Sequence, residues 1–492
     1  MALRREGAPE ASQLRGALAR CAAAADESGQ ARVLAVSMPL GDCDPLAAFA
    51  GFGEGERFFW EQAARGLALA ARGAVLEVEA DPGVEAGQAT AAVGARIRAV
   101  AARVDAVGPA TPLFVGGFSF DGRAPGPGAW EAFPAGRMVL PELGVRRHAG
   151  ETRATVCIGV SAGEDLEGLF ETLAARLQDL EELVDAAVKV EEVPRAPSDG
   201  SPQAGAEYRV VADRSHATFY AQVESALDAI RAGDLEKVVL ARSLEVVHPG
   251  RFGEVSFLDE LRGLYPHCTV FARGRGRDLL VAASPELLVS LADETVEACA
   301  LAGSSARGRS PEEDMHLAAA LRESKKEQAE HEIVARSLRS HLSEWVDELE
   351  GPEAPELMRL LGIQHLATPL RGRLRASRRD AGVLDLVACL HPSPAVGGLP
   401  RAQAQAWIDR REGMERGWYA GPVGWMDARG DGEFWLALRS ALIRNGPRQG
   451  ASGTSSAKLF AGAGIVQGSS PEAELAETRI KLRALLAPLT EI

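Results

Sequence analysis

The sequence has too few basic residues to balance its acids. Its 54 lysines and arginines stand against 69 aspartates and glutamates, which leaves a formal net charge of -15 at pH 7. Nucleic acids and anionic membranes are recruited by a positive field, so this deficit argues against both kinds of partner. A small anionic substrate would therefore need a local cation or a bound metal ion.

Cysteine is scarce and scattered. The six cysteines form no C-x-x-C pair, and most stand in apolar stretches that suit buried free thiols. The sequence has no run of about 18 apolar residues, the length that a membrane-spanning helix needs. The N-terminal residues include arginines but lack the apolar core of a signal peptide. We therefore expect a cytoplasmic protein in a reducing environment.

The chain is long and apolar enough to bury a large core. It has 492 residues, of which 46% are hydrophobic. Prolines, serines and glycines gather at residues 195–206, where we expect a linker or a long surface loop. This boundary divides the chain into an N-terminal half, residues 1–205, and a C-terminal half, residues 206–492. The candidate catalytic residues all fall in the C-terminal half.

The hydrophobic pattern favours an α+β fold with mainly antiparallel sheet, because runs of strands are separated by helices without strict alternation. A capping Ser310 and acids in the first turn predict one long helix from Pro311 to about Leu349. The strands predicted after the linker are near residues 237–242, 269–273, 278–283, 286–291, 423–426, 433–443 and 458–466.

The last predicted strand, Phe460–Val466, alternates glycine with other residues and leads into a helical pattern. Such a strand can place bare backbone N–H groups against an anion. On the helix, Glu474, Glu477 and Lys481 share one face, and carboxylates three residues apart can share a cation. The plainer interpretation is a glycine turn, a capping Ser470 and glutamates that the helix dipole favours.

The long predicted helix offers a second pair of carboxylates. Glu327 and Glu330 lie one turn apart on one face of it. Four converging carboxylates would repel one another unless a divalent cation neutralised them, and an all-oxygen ligand set favours magnesium over zinc. The plainer interpretation is a solvated charged face, since Lys325 and Lys326 are on the same helix.

Several further motifs occur in a fixed order along the C-terminal half. They are Lys237-Val-Val-Leu-Ala-Arg242, Ser284-Pro-Glu-Leu-Leu288, Leu301-Ala-Gly-Ser304, Glu330-His-Glu332, His365-Leu-Ala-Thr-Pro369, His391-Pro-Ser-Pro-Ala395, Tyr419-Ala-Gly-Pro-Val-Gly-Trp425, Ala437-Leu-Arg439 and the segment from Phe460 to Lys481. Each motif is weak alone. Together, over residues 207–487, the chain resembles the chorismate-utilising enzymes, and within them the isochorismate synthases of menaquinone and siderophore pathways.

The resemblance implies a fold and a reaction. The implied fold is α+β, with two large antiparallel β-sheets packed face to face, helices outside, and the site in the cleft between the sheets. The N-terminal half would complete this fold. In the implied reaction, water attacks C2 of chorismate, the ring double bonds shift, and the C4 hydroxyl leaves. This reaction needs a base, an acid and charge neutralisation at the C1 carboxylate.

By similarity to the family, Lys237 is the base and Glu286 is the acid. A lysine base needs a pKa about three units below its ordinary value, and a carboxylic acid that donates a proton at neutral pH needs a raised pKa. The apolar residues around both positions are compatible with such shifts. Without the other motifs, Lys237 would be interpreted as a strand-edge charge and Glu286 as a turn residue.

The resemblance also implies a magnesium site made of the four carboxylates. Glu330 and Glu477 would be direct ligands of Mg²⁺, and Glu327 and Glu474 would hold its water molecules.

The implied substrate contacts centre on Arg439, whose planar fork suits the pyruvyl carboxylate. Its plainer interpretation is a buried structural ion pair. His365 is expected as a contact or packing residue rather than a catalyst. The other implied substrate-binding residues are Gly303, Ser304, Ala395, Tyr419, Ala461, Gly462 and Lys481.

Three positions distinguish reactions within the family. Aminating relatives carry a non-basic residue in place of Lys237, so the lysine argues for water as the nucleophile. Salicylate synthases typically have Gly-Ser-Thr in place of Ala367–Pro369 and threonine in place of Ala395. Pyruvate elimination is therefore the alternative reaction rather than the expected one.

We expect chorismate as the small-molecule substrate, no nucleic-acid or membrane partner, no glutaminase subunit, and a monomer. Menaquinone synthesis is favoured over a siderophore pathway for the product. Two alternatives lie outside the enzymes. A chorismate-binding regulator would lack the acid or the base, and a structural metal-binding protein would bind magnesium without turning over chorismate.

Overall fold

The computed structural model describes residues 9–81, 83–109, 112–191, 208–447 and 453–490. The helices in these ranges are α1 (Ala11–Ser28), α2 (Pro45–Gly51), α3 (Ala86–Ala101), α4 (Leu166–Glu191), α5 (His216–Arg231), α6 (Glu254–Leu264), α7 (Pro311–Glu323), α8 (Lys325–Leu342), α9 (Val383–Leu390), α10 (Arg401–Arg411) and α11 (Pro471–Thr490). None of them combines the length and the apolar character that a bilayer crossing requires.

The strands in the described ranges are β1 (Arg32–Pro39), β2 (Arg57–Gln62), β3 (Leu67–Arg72), β4 (Leu76–Glu79), β5 (Val104–Val107), β6 (Leu113–Phe118), β7 (Gly136–Leu140), β8 (Leu143–His148), β9 (Glu151–Val160), β10 (Arg209–Ala212), β11 (Lys237–His248), β12 (Thr269–Arg275), β13 (Asp278–Ser284), β14 (Leu287–Ala292), β15 (Thr295–Ala306), β16 (Val346–Glu350), β17 (Glu356–Arg359), β18 (Ile363–Leu374), β19 (Gly398–Leu399), β20 (Pro422–Asp427), β21 (Gly432–Leu436), β22 (Ser440–Arg444) and β23 (Ser455–Ile465).

These strands form two large sheets. The larger has 13 strands in the order β10-β11-β23-β22-β13-β12-β2-β3-β8-β9-β1-β5, with β19 beside β11. The smaller has ten strands in the order β16-β18-β15-β14-β21-β20-β6-β7-β4, with β17 beside β18. Among the described strands, β1 and β5 form the one parallel pair. The prediction of an α+β fold built on two large antiparallel sheets is confirmed.

The larger sheet buries both of its faces. Successive residues of a strand point to opposite faces, and along β2 this period of two sorts the aromatic residues. Phe58 and Trp60 belong to a core that includes Met138 of the smaller sheet. Phe59 belongs to a second core, which contains residues of α1, α2 and α4, among them Phe49. The sheet is therefore sandwiched between the other sheet and a layer of helices.

The predicted boundary at residue 205 lies outside the described residues. Strands β1 to β9 precede that gap and β10 to β23 follow it, and each sheet contains strands from both groups. For example, β2 pairs with β12 in the larger sheet, and β6 pairs with β20 in the smaller. The division into two halves stays a prediction.

The prediction of one long helix from Pro311 to about Leu349 is wrong. The chain forms α7, breaks at Ser324, forms α8 and then enters β16. Ser324 has extended backbone angles of φ -67° and ψ 111°, and its hydroxyl accepts a hydrogen bond from the backbone N–H of Glu327 at 3.3 Å. A serine that caps the next helix explains the break, because the capping residue itself lies outside the helix.

The prediction of one strand over residues 433–443 is also wrong. Residues 437–439 separate β21, in the smaller sheet, from β22, in the larger. Arg439 has a φ of 45°, a left-handed backbone angle that ends the extended run. The chain therefore crosses from one sheet to the other at this point.

A second crossing lies beside the first. Strand β13 of the larger sheet is followed by Pro285 and Glu286 and then by β14 of the smaller sheet. The two crossings are hydrogen bonded to each other. The backbone N–H of Leu436 donates to the carbonyl of Glu286 at 3.1 Å, and that of Ala283 donates to the carbonyl of Arg439 at 3.1 Å. Glu286 and Arg439 are thus fixed at one junction between the sheets.

Candidate active site

A cavity of about 700 Å³, its mouth included, lies at this junction. Its walls come from β11, β15, β18, β23, α8 and α11 and from the two crossings. The predicted site residues in its lining are Glu286, Gly303, Ser304, Glu330, His365, Ala395, Tyr419, Arg439, Ala461, Gly462 and Lys481. Of the other predicted residues, Lys237, Glu327 and Glu477 each contact a residue of this lining, and Glu474 is joined to it through Lys326, which also approaches Glu330.

Lys237 begins β11, and its side chain is fully buried. Its Nζ lies 3.1 Å from Oε1 of Glu330, which is on α8. A strand-edge charge would be exposed to solvent, whereas Lys237 is buried beside a carboxylate, so that interpretation does not fit. The structure therefore places the predicted base next to a predicted magnesium ligand.

Glu286 is 4% exposed and lies in the cavity wall. Burial raises the pKa of its carboxyl to about 8, although Lys237 and Lys481 act in the opposite direction. A carboxyl with this pKa is mostly protonated at neutral pH. Glu286 can therefore donate a proton into the cavity, as the resemblance implied for the acid.

Arg439, His365 and Ser304 form a hydrogen-bonded chain across the cavity. Nη2 of Arg439 lies 2.9 Å from Nε2 of His365, and Nδ1 of His365 lies 2.9 Å from Oγ of Ser304. Because a guanidinium only donates, Nε2 of His365 accepts and Nδ1 carries the proton that is donated to Ser304. Burial lowers the pKa of His365 well below its ordinary value, with Arg439 and Lys481 adding to the effect. The imidazole is thus neutral and orients the guanidinium.

Within the described residues, no carboxylate lies at ion-pair distance from Arg439. Arg439 is 6% exposed, and its Nη1 is buried without a hydrogen-bond partner. The interpretation as a structural ion pair therefore fails for the described part of the chain. A buried guanidinium with an unused donor that lines a cavity is suited to bind a carboxylate ligand.

The glycines of β23 make room for charged side chains. A Cβ on Gly464 would overlap Oε1 of Glu330 and lie 2.9 Å from Cε of Lys237. A Cβ on Gly462 would lie 3.2 Å from the hydroxyl oxygen of Tyr419. The sequence pattern suggested bare N–H groups facing an anion, and the structure adds a steric purpose for the same glycines.

Gly303 lets α8 approach β15 closely. It has a φ of 76° at an irregularity in the pairing of β15 with β18, and a Cβ there would lie 2.9 Å from the carbonyl oxygen of Glu327. The backbone N–H of Ser304 then donates to Oε2 of Glu327 at 2.8 Å. That N–H is therefore bonded to the protein, while the hydroxyl of Ser304 keeps its own proton to donate.

Tyr419 and Lys481 complete the polar lining. Tyr419 is buried and stacks on Phe460 with ring centroids 5.0 Å apart, and burial raises the pKa of its hydroxyl. Nζ of Lys481 donates to Oε1 of Glu477 at 2.6 Å and to the carbonyl of Gly462 at 2.9 Å. Both side chains can donate hydrogen bonds to an anion in the cavity.

The carboxylates Glu327, Glu330, Glu474 and Glu477 form an acidic cluster between α8 and α11. Ser470 caps α11, as the plainer interpretation expected, yet Glu474 is fully buried rather than solvated. Burial raises the pKa of Glu474 to about 7, with Lys326 opposing the shift. Lys326 of α8 lies 2.9 Å from Glu474 of α11, so the carboxylates of the two helices lie near one another. This placement agrees with the prediction that two helices bring their carboxylates together.

Lysines neutralise the acidic cluster. Nζ of Lys326 lies 3.0 Å from Glu327, 2.9 Å from Glu474 and 3.9 Å from Glu330. Burial favours a higher pKa for Glu330, but Lys237 and Lys326 outweigh it, and the pKa of Glu330 is lowered. No three His, Cys, Asp or Glu side chains of the described ranges stand together as a ready metal site.

The chemistry of the acidic cluster nevertheless fits a hard divalent cation. Its four side chains offer only oxygen donors, which Mg²⁺ prefers. Neither carboxylate oxygen of the buried Glu474 accepts a well-directed hydrogen bond. Three of the carboxylates, those of Glu327, Glu330 and Glu474, lie within 4.0 Å of Nζ of Lys326, so they can surround one cation.

A buried ion pair that supports the cavity was missed by the sequence reasoning. Arg416 donates to Glu412 at 2.6 Å and also to the carbonyls of Val239 and Val396, two residues of the lining. Glu412 in turn accepts from the backbone N–H of Ala241 at 2.8 Å. The four-residue spacing between Glu412 and Arg416 could have indicated this pair from the sequence.

The comparisons with known proteins agree with this site. Residues 17–490 match the family described as chorismate binding enzyme. The chain is 35% identical over 482 residues to the salicylate biosynthesis isochorismate synthase of Pseudomonas aeruginosa, covering 97% of this chain and 94% of that protein. It is 34% identical to the isochorismate synthase MenF of Bacillus subtilis, covering 77% of this chain and 74% of that protein.

Solved structures show the same fold. MenF, the menaquinone-specific isochorismate synthase from Escherichia coli, has a TM-score of 0.71 at 24% identity, with 97% of this chain and 99% of that chain covered. A structure described as the putative isochorismate synthase DhbC from Bacillus anthracis has a TM-score of 0.68 at 25% identity, with 91% and 99% covered. This chain belongs to the chorismate-binding enzyme family. The family that the motifs predicted is confirmed.

Proposed function

We propose that this protein is an isochorismate synthase, which converts chorismate to isochorismate by adding water at C2 and releasing the C4 hydroxyl. One observation carries the proposal: a buried lysine, Lys237, and a buried carboxyl that keeps its proton near neutral pH, Glu286, belong to the same cavity region. Addition of water with loss of a hydroxyl needs one base and one acid. The relatives named above as isochorismate synthases support the same reaction.

The proton inventory of this reaction balances within the site. As the proposed base, Lys237 takes a proton from the water that attacks C2, and the ring double bonds shift as the bond from C4 to its oxygen breaks. Glu286 gives its proton to the leaving hydroxyl, which departs as water. Lys237 then holds the proton taken from the attacking water and Glu286 lacks one, so transfer of a proton from Lys237 to Glu286 resets both groups for the next turnover.

Charged groups of the cavity would hold the two carboxylates of chorismate. The free Nη1 of Arg439 and the hydroxyl of Tyr419 are assigned to the pyruvyl carboxylate. His365 fixes the guanidinium by accepting one of its hydrogen bonds, so we assign it a positioning role. Lys481 and the hydroxyl of Ser304 add donors to the same cavity.

We propose Mg²⁺ as the cofactor of the acidic cluster. Glu330 and Glu477 would hold the ion directly, and Glu327 and Glu474 would bind its water molecules. Bound there, the ion would neutralise the C1 carboxylate of the substrate. The oxygen-only donors support this assignment, as does the lack of a well-directed hydrogen bond to either carboxylate oxygen of Glu474.

The test is incubation of the purified protein with chorismate, with and without Mg²⁺, followed by chromatographic separation of the products. We expect isochorismate with Mg²⁺ and none after treatment with a chelator. Salicylate and pyruvate as the main products would replace the proposal with the salicylate synthase alternative. Tight binding of chorismate without any product would favour a chorismate-binding regulator.

The pathway that receives the product has two candidates. The sequence favoured menaquinone synthesis, and MenF of B. subtilis is among the relatives. The P. aeruginosa relative, which matches nearly the whole chain, is named for salicylate biosynthesis, and this supports supply of isochorismate to a salicylate-forming step as the second candidate. Deletion of the gene, followed by feeding of either compound, distinguishes the two pathways. Restored growth with menaquinone would indicate the first pathway, and restored siderophore production with salicylate would indicate the second.

We further propose a cytoplasmic monomer that acts without a glutaminase subunit. Water needs no ammonia-supplying partner, which supports this proposal. Light scattering of the purified protein measures the monomer mass directly, and isochorismate formation by the protein alone tests the absence of a partner.

A further inference from the structure

Lys326 lies between the two helices that carry the acidic cluster. It is the second residue of α8, and its side chain is 19% exposed. Its Nζ contacts Glu327 and Glu330 of its own helix and reaches Glu474 of α11 at 2.9 Å. The side chain is therefore a cation held among carboxylates.

The neighbouring Lys325 is different. It is exposed, and within the described residues no ion pair joins it to a carboxylate. Consecutive residues of a helix point about 100° apart, so one of the two lysines can face the acidic cluster while the other faces solvent. The chain thus supplies a matched pair of lysines, one inside the cluster and one outside it.

The other cations of the site leave part of the cluster to Lys326. Lys237 pairs with Glu330, and Lys481 pairs with Glu477. The remaining two carboxylates are Glu327 and the fully buried Glu474, and Lys326 lies 3.0 Å and 2.9 Å from them. Buried carboxylates of like charge repel unless a cation lies between them. Lys326 supplies that charge where the metal ion is proposed to bind.

We propose that Lys326 is an internal counter-ion of the acidic cluster, which stabilises the metal-free protein and must be displaced when a divalent cation binds. The inference rests on the proposed magnesium site. It explains why four convergent carboxylates do not form a ready metal site: the ammonium of Lys326 is bound among three of them. Lys326 thereby weakens metal binding and lets the cluster fold before the metal ion arrives.

The test compares Lys326→Met with Lys325→Met by calorimetric titration of the metal-free proteins with Mg²⁺. Removal of the competing ammonium is expected to tighten Mg²⁺ binding at least about tenfold in Lys326→Met and to leave Lys325→Met at the wild-type affinity. The metal-free Lys326→Met protein is also expected to melt at a lower temperature, and saturating Mg²⁺ should raise its melting temperature more than that of the wild type.

Unchanged or weaker Mg²⁺ binding by Lys326→Met, with normal binding by the wild type, would overturn the role of Lys326 and leave the metal site standing. Absence of Mg²⁺ binding in all three proteins would overturn the metal site as well.

Should Lys326→Met fail to fold, the wild-type protein supplies a second test. Acetylation with a limiting amine reagent, read by peptide mass spectrometry, compares the labelling of Lys326 with that of Lys325 as the internal reference. Displacement by Mg²⁺ is expected to increase the relative labelling of Lys326, because its ammonium leaves the carboxylates. An unchanged or lower ratio at saturating Mg²⁺ contradicts the proposal.

Discussion

Oε1 of Glu330 occupies the space that a side chain at position 464 would fill. Because Gly464 has no Cβ, the carboxylate fits there, and a Cβ at that position would overlap it. Lys237 occupies the same region, since its Cε would lie 2.9 Å from that Cβ. The contact between the buried lysine and the carboxylate, at 3.1 Å, therefore depends on a strand residue with no side chain.

Gly464→Ala should displace Glu330 and Lys237 together. We expect isochorismate formation to be lost and Mg²⁺ binding to weaken, with a stability cost of about 1 to 3 kcal/mol for overpacking. Steady-state kinetics, calorimetry and chemical denaturation measure the three effects. Gly159→Ala is the control, because this strand glycine has its nearest neighbour at 3.8 Å. Equal activity of the two variants would mean that Glu330 can move without consequence.

Lys237→Met should abolish turnover while chorismate still binds. The substitution removes the base but keeps a side chain of similar length in the buried position, so kcat should fall by about 10³-fold or more. Calorimetric titration with chorismate and Mg²⁺ checks that the site remains formed. Lys458→Met, on β23 but outside the cavity lining, is the matched control. Turnover by Lys237→Met at the wild-type rate would remove Lys237 from the role of base.

The activity should fall at alkaline pH as Glu286 loses its proton. The pKa of this carboxyl is raised to about 8, so the donor form dominates below that pH and is lost above it. We therefore expect kcat/KM to decrease about tenfold per pH unit above pH 8. A pH profile that stays flat to pH 9.5 contradicts the assignment.

Glu286→Gln should lower kcat by about 10²- to 10⁴-fold, because an amide cannot protonate the leaving hydroxyl. Its residual activity should also lack the alkaline decrease that Glu286 causes in the wild type. Undiminished isochorismate output by this variant would take Glu286 out of the acid role.

Arg439→Gln should weaken chorismate binding. Loss of a buried guanidinium that pairs with a carboxylate costs about 3 kcal/mol, or roughly 100-fold in kcat/KM. Arg444→Gln is the control, because Arg444 ends β22, the strand that Arg439 precedes, and its half-exposed side chain pairs with Asp278 outside the cavity lining. Titration with chorismate distinguishes a binding loss from a catalytic one. Equal kcat/KM values for the two variants would show that Arg439 does not contact the substrate.

The C-terminal half could be predicted in detail because its strands are regular and buried. The predicted strands near residues 237, 269, 278 and 423 agree with β11, β12, β13 and β20. Apolar runs bounded by turn residues carry that information locally. The family followed from motifs that keep their order along the chain.

Two breaks in regular structure were not predictable from local periodicity. Ser324 interrupts a helical pattern, because its hydroxyl caps α8, and a serine inside a long polar helix gives the same pattern in sequence. The positive φ of Arg439 ends an apolar strand pattern at a residue that rarely adopts that angle. Both breaks position the site, so the sequence pattern was least informative where tertiary contacts decide the backbone.

The sequence also did not show which residues the charged side chains contact. The E-x-x-E spacing predicted two acidic faces, but whether Lys325 or Lys326 turns toward them depends on how α8 and α11 pack. Arg416 and Glu412 were likewise visible as a pair, while their contacts with the cavity strands depend on the tertiary fold.

The two crossings at the cavity place the acid and the guanidinium on backbone that belongs to both sheets. Hydrogen bonds join these crossings, so main-chain contacts fix where Glu286 and Arg439 lie relative to each other. Glu330 and Lys481 come instead from α8 and α11. The spacing from proton donor to guanidinium is therefore set by the sheets, independently of the helices that carry the acidic cluster.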